Sequence, residues 1–154
     1  MSGEMRKFQY YGEEALQLPA KREAFATLKE WLLSIAEEMA LPARNRKQLL
    51  IAADEIFTNI ASYGYPSGEG TARVSVAFDM EKRELILTFS DTGIAYNPLE
   101  VPAPDLSIPL AEREAGGLGI FLVRKLMDSV EYRRENGCNV LILKKAVGSD
   151  GRNA

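Results

Sequence analysis

Apolar residues recur at helical spacing in the first third of the chain. Phe25, Leu28, Leu32, Ile35 and Met39 fall three or four apart, so the pattern predicts a helix beginning after Pro19. "LPARN" interrupts it, and Pro42 marks the entry to a second helix, expected from about Ala43 to Ser62. "YGYPSGEG" follows with the densest turn chemistry in the chain. The period then changes to two. Val74, Val76 and Phe78 alternate in "ARVSVAFD", and Leu85, Leu87 and Phe89 alternate in "ELILTFS", which predicts a hairpin turning at "EKRE". "IFLVRKLMDSV" restores helical spacing, with Leu122 and Leu126 expected inward together with Ile120 and Val123. "EYRRENGCNVLILKK" reads as a closing hairpin with Asn136-Gly137 at its turn. "MRKFQYYGE" is expected to form a short edge strand, and "GSDGRNA" a frayed tail. Hairpins interleaved with three helices imply an α+β fold, a two-layer sandwich with the helices on one face of a mixed, mostly antiparallel sheet.

Composition narrows this picture. The 154 residues suit one domain, expected over 1–146 with a tail at 147–154, and 46% hydrophobic content can fill a core. The formal charge of -3 comes without a block of like charges, so nothing points to nucleic acid or a membrane surface. No stretch approaches membrane-spanning length, and no signal-peptide core opens the chain. Cys138 is the only cysteine, so no internal disulfide can form and a cytoplasmic setting is expected. The chain has no histidine, which excludes Ser-His-Asp and Cys-His catalysis and self-phosphorylation on histidine.

Three stretches carry candidate chemistry. In "ADEIFTNIASYGY", taking Ile56 as the centre of the buried face, Glu55 lies about 100° and Asn59 about 60° to the same side. They are neighbours at i and i+4 along one margin of the core, while Asp54 points to solvent. An amide oxygen suits a hard cation such as Mg²⁺, and a carboxylate beside it can orient or deprotonate a hydroxyl. "DTGIAYNP" places Asp91 at a strand end, where it could accept a hydrogen bond from an exocyclic amine such as that of adenine; Gly93 would permit a tight turn with positive φ, and Pro98 stiffens the exit. "AGGLGIFLV" puts Gly116, Gly117 and Gly119 at a helix start, where backbone N–H groups and the helix dipole favour phosphate. Each stretch alone also has an ordinary reading: a charged core margin, an Asp-x-Gly turn, a flexible helix entry. Neither a P-loop nor a G-x-G-x-x-G after a strand is present.

Taken in order, the three stretches resemble the GHKL (Bergerat-fold) ATP-binding domain, in particular the small bacterial anti-sigma-factor serine/threonine kinases. "DEIFTNIASYGYP" resembles that family's N box, "DTGIAYNP" its first glycine box, and "GGLGIFLVRKLMDSVEYRRENGCNVLILKK" its second glycine box with the following helix and hairpin. The likeness spans about residues 20–145. It implies Mg²⁺ held on ATP through Asn59, Glu55 as general base, Asp91 on the adenine amine with Gly93 shaping the pocket, and the stretch Gly116, Gly117, Leu118 and Gly119 along the phosphates. Residues 99–115, with three prolines, become the ATP lid. Three positions depart from the family pattern. Tyr63 stands where a His is common, Ala95 where a second glycine is common, and Cys138 where a Thr is common. Tyr63 could still cover a ribose or phosphate.

The resemblance also implies partners: a small anti-anti-sigma (STAS-type) protein as phosphoryl acceptor, a sigma factor, and a second copy of the chain. Three functions are open at this point: a protein kinase, an ATP-gated binding switch without phosphoryl transfer, and a nucleotide-free scaffold. The scaffold has no need of a carboxylate at a cleft edge.

Overall fold

A computed structural model describes residues 13–100, 102, 105, 107–109 and 118–148. Five strands, β1 (Glu13–Pro19), β2 (Thr71–Asp79), β3 (Glu84–Asp91), β4 (Ser129–Glu135) and β5 (Cys138–Ala146), form one sheet in the order β1-β2-β3-β5-β4. All four pairings are antiparallel, the limiting case of the mostly antiparallel sheet expected. Three helices accompany it: α1 (Phe25–Glu38), α2 (Ala43–Asn59) and α3 (Leu118–Leu126).

The alternation in the central strands sets which face is covered. Val74, Val76 and Phe78 sit opposite Phe89, Leu87 and Leu85, and all six are buried. Leu49, Ala52, Ala53, Ile56 and Phe57 of α2 are buried in the same core, as are Leu28, Leu32 and Ile35 of α1. Each large side chain removed from water here contributes about 1.5–3 kcal/mol before packing costs. The small Ala52 and Ala53, both fully buried, leave room for α2 to approach its neighbours closely. α1 stops at a left-handed residue, Ala40 with φ 52°, and Leu41 N–H donates to Ala36 O at 3.0 Å. Pro42 then precedes α2 in an extended conformation, φ -56° and ψ 149°.

Three expectations are corrected. The edge strand described is β1 at Glu13–Pro19; "MRKFQYYGE", apart from Glu13, lies outside the described residues. Leu16 and Leu18 face the core side of β1, and Pro19 ends it, while a 3₁₀ turn at Arg22–Ala24 leads into α1. α2 ends as an α-helix at Asn59, and Ile60–Gly64 continue as one π-helical turn. In α3, Ile120 and Val123 point inward together with Met127 just beyond the helix, whereas Leu122 is 39% exposed and Leu126 half-buried. With Val123 at the centre of the buried face, Leu122 falls about 100° away and Gly119 about 40°. Val147, counted with the tail, is buried and donates its N–H to Arg83 O at 2.9 Å; residues 149–154 lie outside the described ones.

Candidate active site

The last turns of α2 and the loop after β3 are tied together through backbone. Ile94 N–H donates to Gly64 O at 2.9 Å, joining the π turn to "DTGIAYNP". The two segments meet so closely at Gly93 that a β-carbon there would lie 2.3 Å from Gly64 O and 2.8 Å from its carbonyl carbon. Gly93 is therefore required by this approach. Its φ is not positive, contrary to the expectation from its turn position. Ala95 also keeps a negative φ, so the missing second glycine costs the loop no backbone strain. Tyr65 fastens the same corner, its hydroxyl donating to Thr71 O at 2.6 Å and accepting from Thr92 N–H at 2.9 Å.

Asp91 ends β3 with 8% of its surface exposed. Its Oδ1 accepts from Gly93 N–H at 2.9 Å and from Asn139 Nδ2 at 3.0 Å. That leaves Oδ2 as the oxygen available to a ligand. Asp91 and Asn59 line one cleft, whose empty space with its open mouth is about 450 Å³. Its walls are largely apolar, with Ile56 and Ile60 from the α2 side and Phe89 and Leu141 from the sheet. A flat heterocycle with one polar edge fits such a lining.

Glu55 sits one turn before Asn59, half-buried. A β-carbon on Gly119, the second residue of α3, would meet Glu55 Oε2 at 2.2 Å, so the carboxylate and the helix start are in direct contact. Burial first, and the neighbouring Asp54 second, raise the Glu55 carboxyl above its ordinary value. Asp54 itself is exposed and accepts only from Thr58 Oγ1 among the described residues, as its outward position implies.

Tyr63 does not line the cleft. Its ring, 48% exposed, stands 6.5 Å from that of Tyr96, which does. Burial, then the nearby Tyr63, raise the Tyr96 phenol. Gly116 and Gly117 lie outside the described residues, as does most of the 99–115 lid segment; Leu118 opens α3. A 3₁₀ turn at Pro98–Glu100 leads into that segment, and an Asx turn from Asp105 to Ser107 is described within it.

Sequence reasoning missed Asn139, Arg134 and Tyr65. Arg134 Nη1 donates to Gly93 O at 2.9 Å, so the closing hairpin also holds the glycine turn. Cys138 does not line the apolar cleft but a second pocket that shares Asp91 with it, and its neighbour Asn139 bonds to Asp91 from the cleft side. The one available signal was the register: an Asn two residues past the Asn136-Gly137 turn, in a run that is otherwise apolar.

Residues 18–145 match the histidine kinase-like ATPase domain family. The serine/threonine-protein kinase BtrW of Bordetella bronchiseptica is 34% identical over 113 residues, covering 73% of this chain and 79% of that protein. The serine-protein kinase RsbW of Bacillus mycoides is 26% identical over 133 residues, covering 84% and 82%. The crystal structure of the RsbU and RsbW domains of Rv1364c from Mycobacterium tuberculosis superposes with a TM-score of 0.65 at 15% identity. That likeness covers 91% of this chain but 34% of the longer one, and it speaks for the fold. With helices packed on one face of an antiparallel sheet, an apolar cleft between Asn59 and Asp91, and a match across nearly its whole length, the chain belongs to the histidine kinase-like ATPase family, on the branch of its bacterial serine/threonine-protein kinases.

Proposed function

We infer that the protein is an ATP-dependent serine/threonine kinase acting as an anti-sigma regulatory factor, and that it phosphorylates a small anti-anti-sigma protein of the STAS type. The observation that carries the reading is the contact between the Glu55 carboxylate and Gly119 at the head of α3, with Asn59 one turn further along the same helix margin. It brings a carboxyl of raised pKa against the head of α3, one helical turn from Asn59, which lines the cleft together with Asp91.

In this reading Asp91 Oδ2 accepts from the adenine amine, and the apolar walls hold the ring. The segment Gly116 to Gly119 runs along the triphosphate, and Tyr63 covers its ribose end beside Tyr96. An amide oxygen at Asn59, half-buried at the cleft wall, fits a hard cation carried on the nucleotide. Mg²⁺ there supplies neutralisation of phosphate charge. Glu55 orients the acceptor Ser or Thr hydroxyl and takes its proton as the hydroxyl oxygen bonds to the γ-phosphorus. The bond from that phosphorus to the bridging oxygen breaks, and ADP departs. The binding of a sigma factor, a homodimeric assembly and a cytoplasmic setting belong to the same proposal. Among the described residues no helix is long and apolar enough to cross a membrane.

The test is recovery of partners from native cells with and without ATP, followed by mapping of phosphorylated sites. A STAS-type protein phosphorylated on Ser or Thr in the presence of the wild-type chain and Mg-ATP is the expected result. A partner captured in an ATP-dependent manner yet never phosphorylated would instead identify a nucleotide-gated switch.

A further inference from the structure

The side-chain amide of Asn139 uses its whole hydrogen-bonding capacity. Nδ2 donates to Asp91 Oδ1 at 3.0 Å and to Ile94 O at 2.7 Å. Oδ1 accepts from Tyr96 N–H at 3.2 Å and from the Tyr132 hydroxyl at 2.5 Å. An amide has two donor hydrogens and two acceptor sites on its oxygen, and all four are engaged. Flipping the amide would turn its oxygen against a carboxylate oxygen and a carbonyl oxygen, so the orientation is unique.

This arrangement does more than fill a gap in the sheet. Asn139 lies opposite Asp91 in the β3–β5 register, is 8% exposed and itself lines the cleft. It grips the loop after β3 at two backbone points, Ile94 O and Tyr96 N–H, and grips Asp91 at its side chain. Together with Gly93 N–H it saturates Oδ1, which turns Oδ2 into the single acceptor offered to a bound base. A carboxylate free to rotate would offer either oxygen along different directions and would discriminate poorly between a base edge that donates and one that accepts.

We propose that Asn139 is a positioning residue for base selection: by fixing the rotamer and the free oxygen of Asp91, it makes the cleft accept a 6-amino purine and reject a 6-oxo purine. A 6-oxo base sets its own oxygen against Oδ2, and neither partner can donate. The inference rests on the ATP-binding reading above and adds to it a residue outside the three motif stretches.

The test compares affinities of the full chain for Mg-ATP and Mg-ITP by calorimetry. Inosine changes the 6-position without adding the 2-amino group that guanine carries. The wild-type chain is expected to prefer ATP strongly, by about 10³-fold or more, since a site built around one hydrogen bond rejects the analogue that lacks it. Asn139→Ala removes the clamp. Asn139→Asp keeps the size and the acceptor for Tyr96 and Tyr132, but sets an oxygen against Asp91 Oδ1. In either variant, checked for folding by circular dichroism, the ATP-to-ITP ratio is expected to fall about 10- to 100-fold, the worth of a hydrogen bond to a charged group. If Asn139→Ala does not fold, the near-isosteric Asp variant decides. A folded variant that weakens both nucleotides equally, leaving the ratio at its wild-type value, would mark Asn139 as merely structural and overturn the proposal. Wild-type protein that binds neither nucleotide would sink the ATP reading itself, and this inference with it.

Discussion

Glu55 and Gly93 show how single residues carry this site. Glu55→Gln retains shape and one acceptor oxygen but cannot take a proton. It is expected to leave ATP affinity nearly unchanged and to lower phosphoryl transfer by about 10²- to 10⁴-fold, measured as single-turnover phosphorylation of the partner. Asn59→Ala should do the reverse, weakening Mg-ATP binding first, with transfer falling as a consequence. The raised Glu55 pKa also has a stability consequence of definite sign. A carboxyl whose folded pKa exceeds its unfolded value penalises the folded state whenever it is ionised. That penalty is full above the folded pKa and vanishes below the unfolded one. Glu55→Gln should therefore match or exceed wild type in urea midpoint at pH 7, with the advantage gone below the ordinary value of 4.5. Wild-type transfer should likewise show an acid limb centred above that value. Gly93→Ala tests the backbone approach. Its β-carbon has no space between Gly64 O and Asp91, and overpacking of this kind costs about 1–3 kcal/mol, read from the same urea midpoints. Sequence alone marked Gly93 as special but read it as permitting a positive φ, because a close approach between two segments 29 positions apart is invisible to local pattern.

At the scale of elements, periodicity located α1, α2 and the central hairpin well, since each buries one regular face in the core. α3 was read less accurately. It is short, and only Arg124 and Lys125 interrupt its apolar residues, "LGIFLVRKL", so several rotations of it bury leucine on paper. The contact of Gly119 with Glu55 selects the rotation that turns Val123 inward and leaves Leu122 out. The π turn after Asn59 was equally hidden, because "IASYG" has no signal separating it from a continued α-helix. The closing hairpin, by contrast, was plain from Asn136-Gly137, and both residues have the positive φ that a tight hairpin turn demands, 53° and 77°. The end of α1 makes a prediction of its own. Ala40 occupies a left-handed position, φ 52°, where glycine has no β-carbon penalty. Ala40→Gly is expected to stabilise the protein by about 0.5–1 kcal/mol, the steric relief outweighing the added freedom of the unfolded chain. An unchanged or lower denaturation midpoint would count against that assignment of strain.

For the whole molecule, binding and stability are linked through the cleft. A nucleotide that binds only the folded chain should stabilise it by about 2.7 kcal/mol at a hundred times its dissociation constant. With affinity in the micromolar range, a marked rise in melting temperature is expected at millimolar Mg-ATP, and none with Mg²⁺ alone. The same preparation examined by light scattering at tens of micromolar should report a dimer, if the assembly proposed with the function holds.

The sequence by itself determined the class of fold, the order of its elements, and the two stretches, "ADEIFTNIASYGY" and "DTGIAYNP", that supply much of the cleft lining. Those properties are local, since period, turn chemistry and motif order are all written along the chain. It could not determine which groups complete the cleft. Asp91 and Asn139 are 48 positions apart and meet only because β5 pairs beside β3, ahead of β4, in antiparallel register. Arg134 reaches Gly93 through the same hairpin, and Glu55 meets Gly119 only after α2 and α3 have packed. These contacts follow from strand order and helix rotation. Both are settled by burial of the whole core at once, so the tertiary structure decided which Asp91 oxygen Gly93 and Asn139 engage and which carboxylate lies at the head of α3.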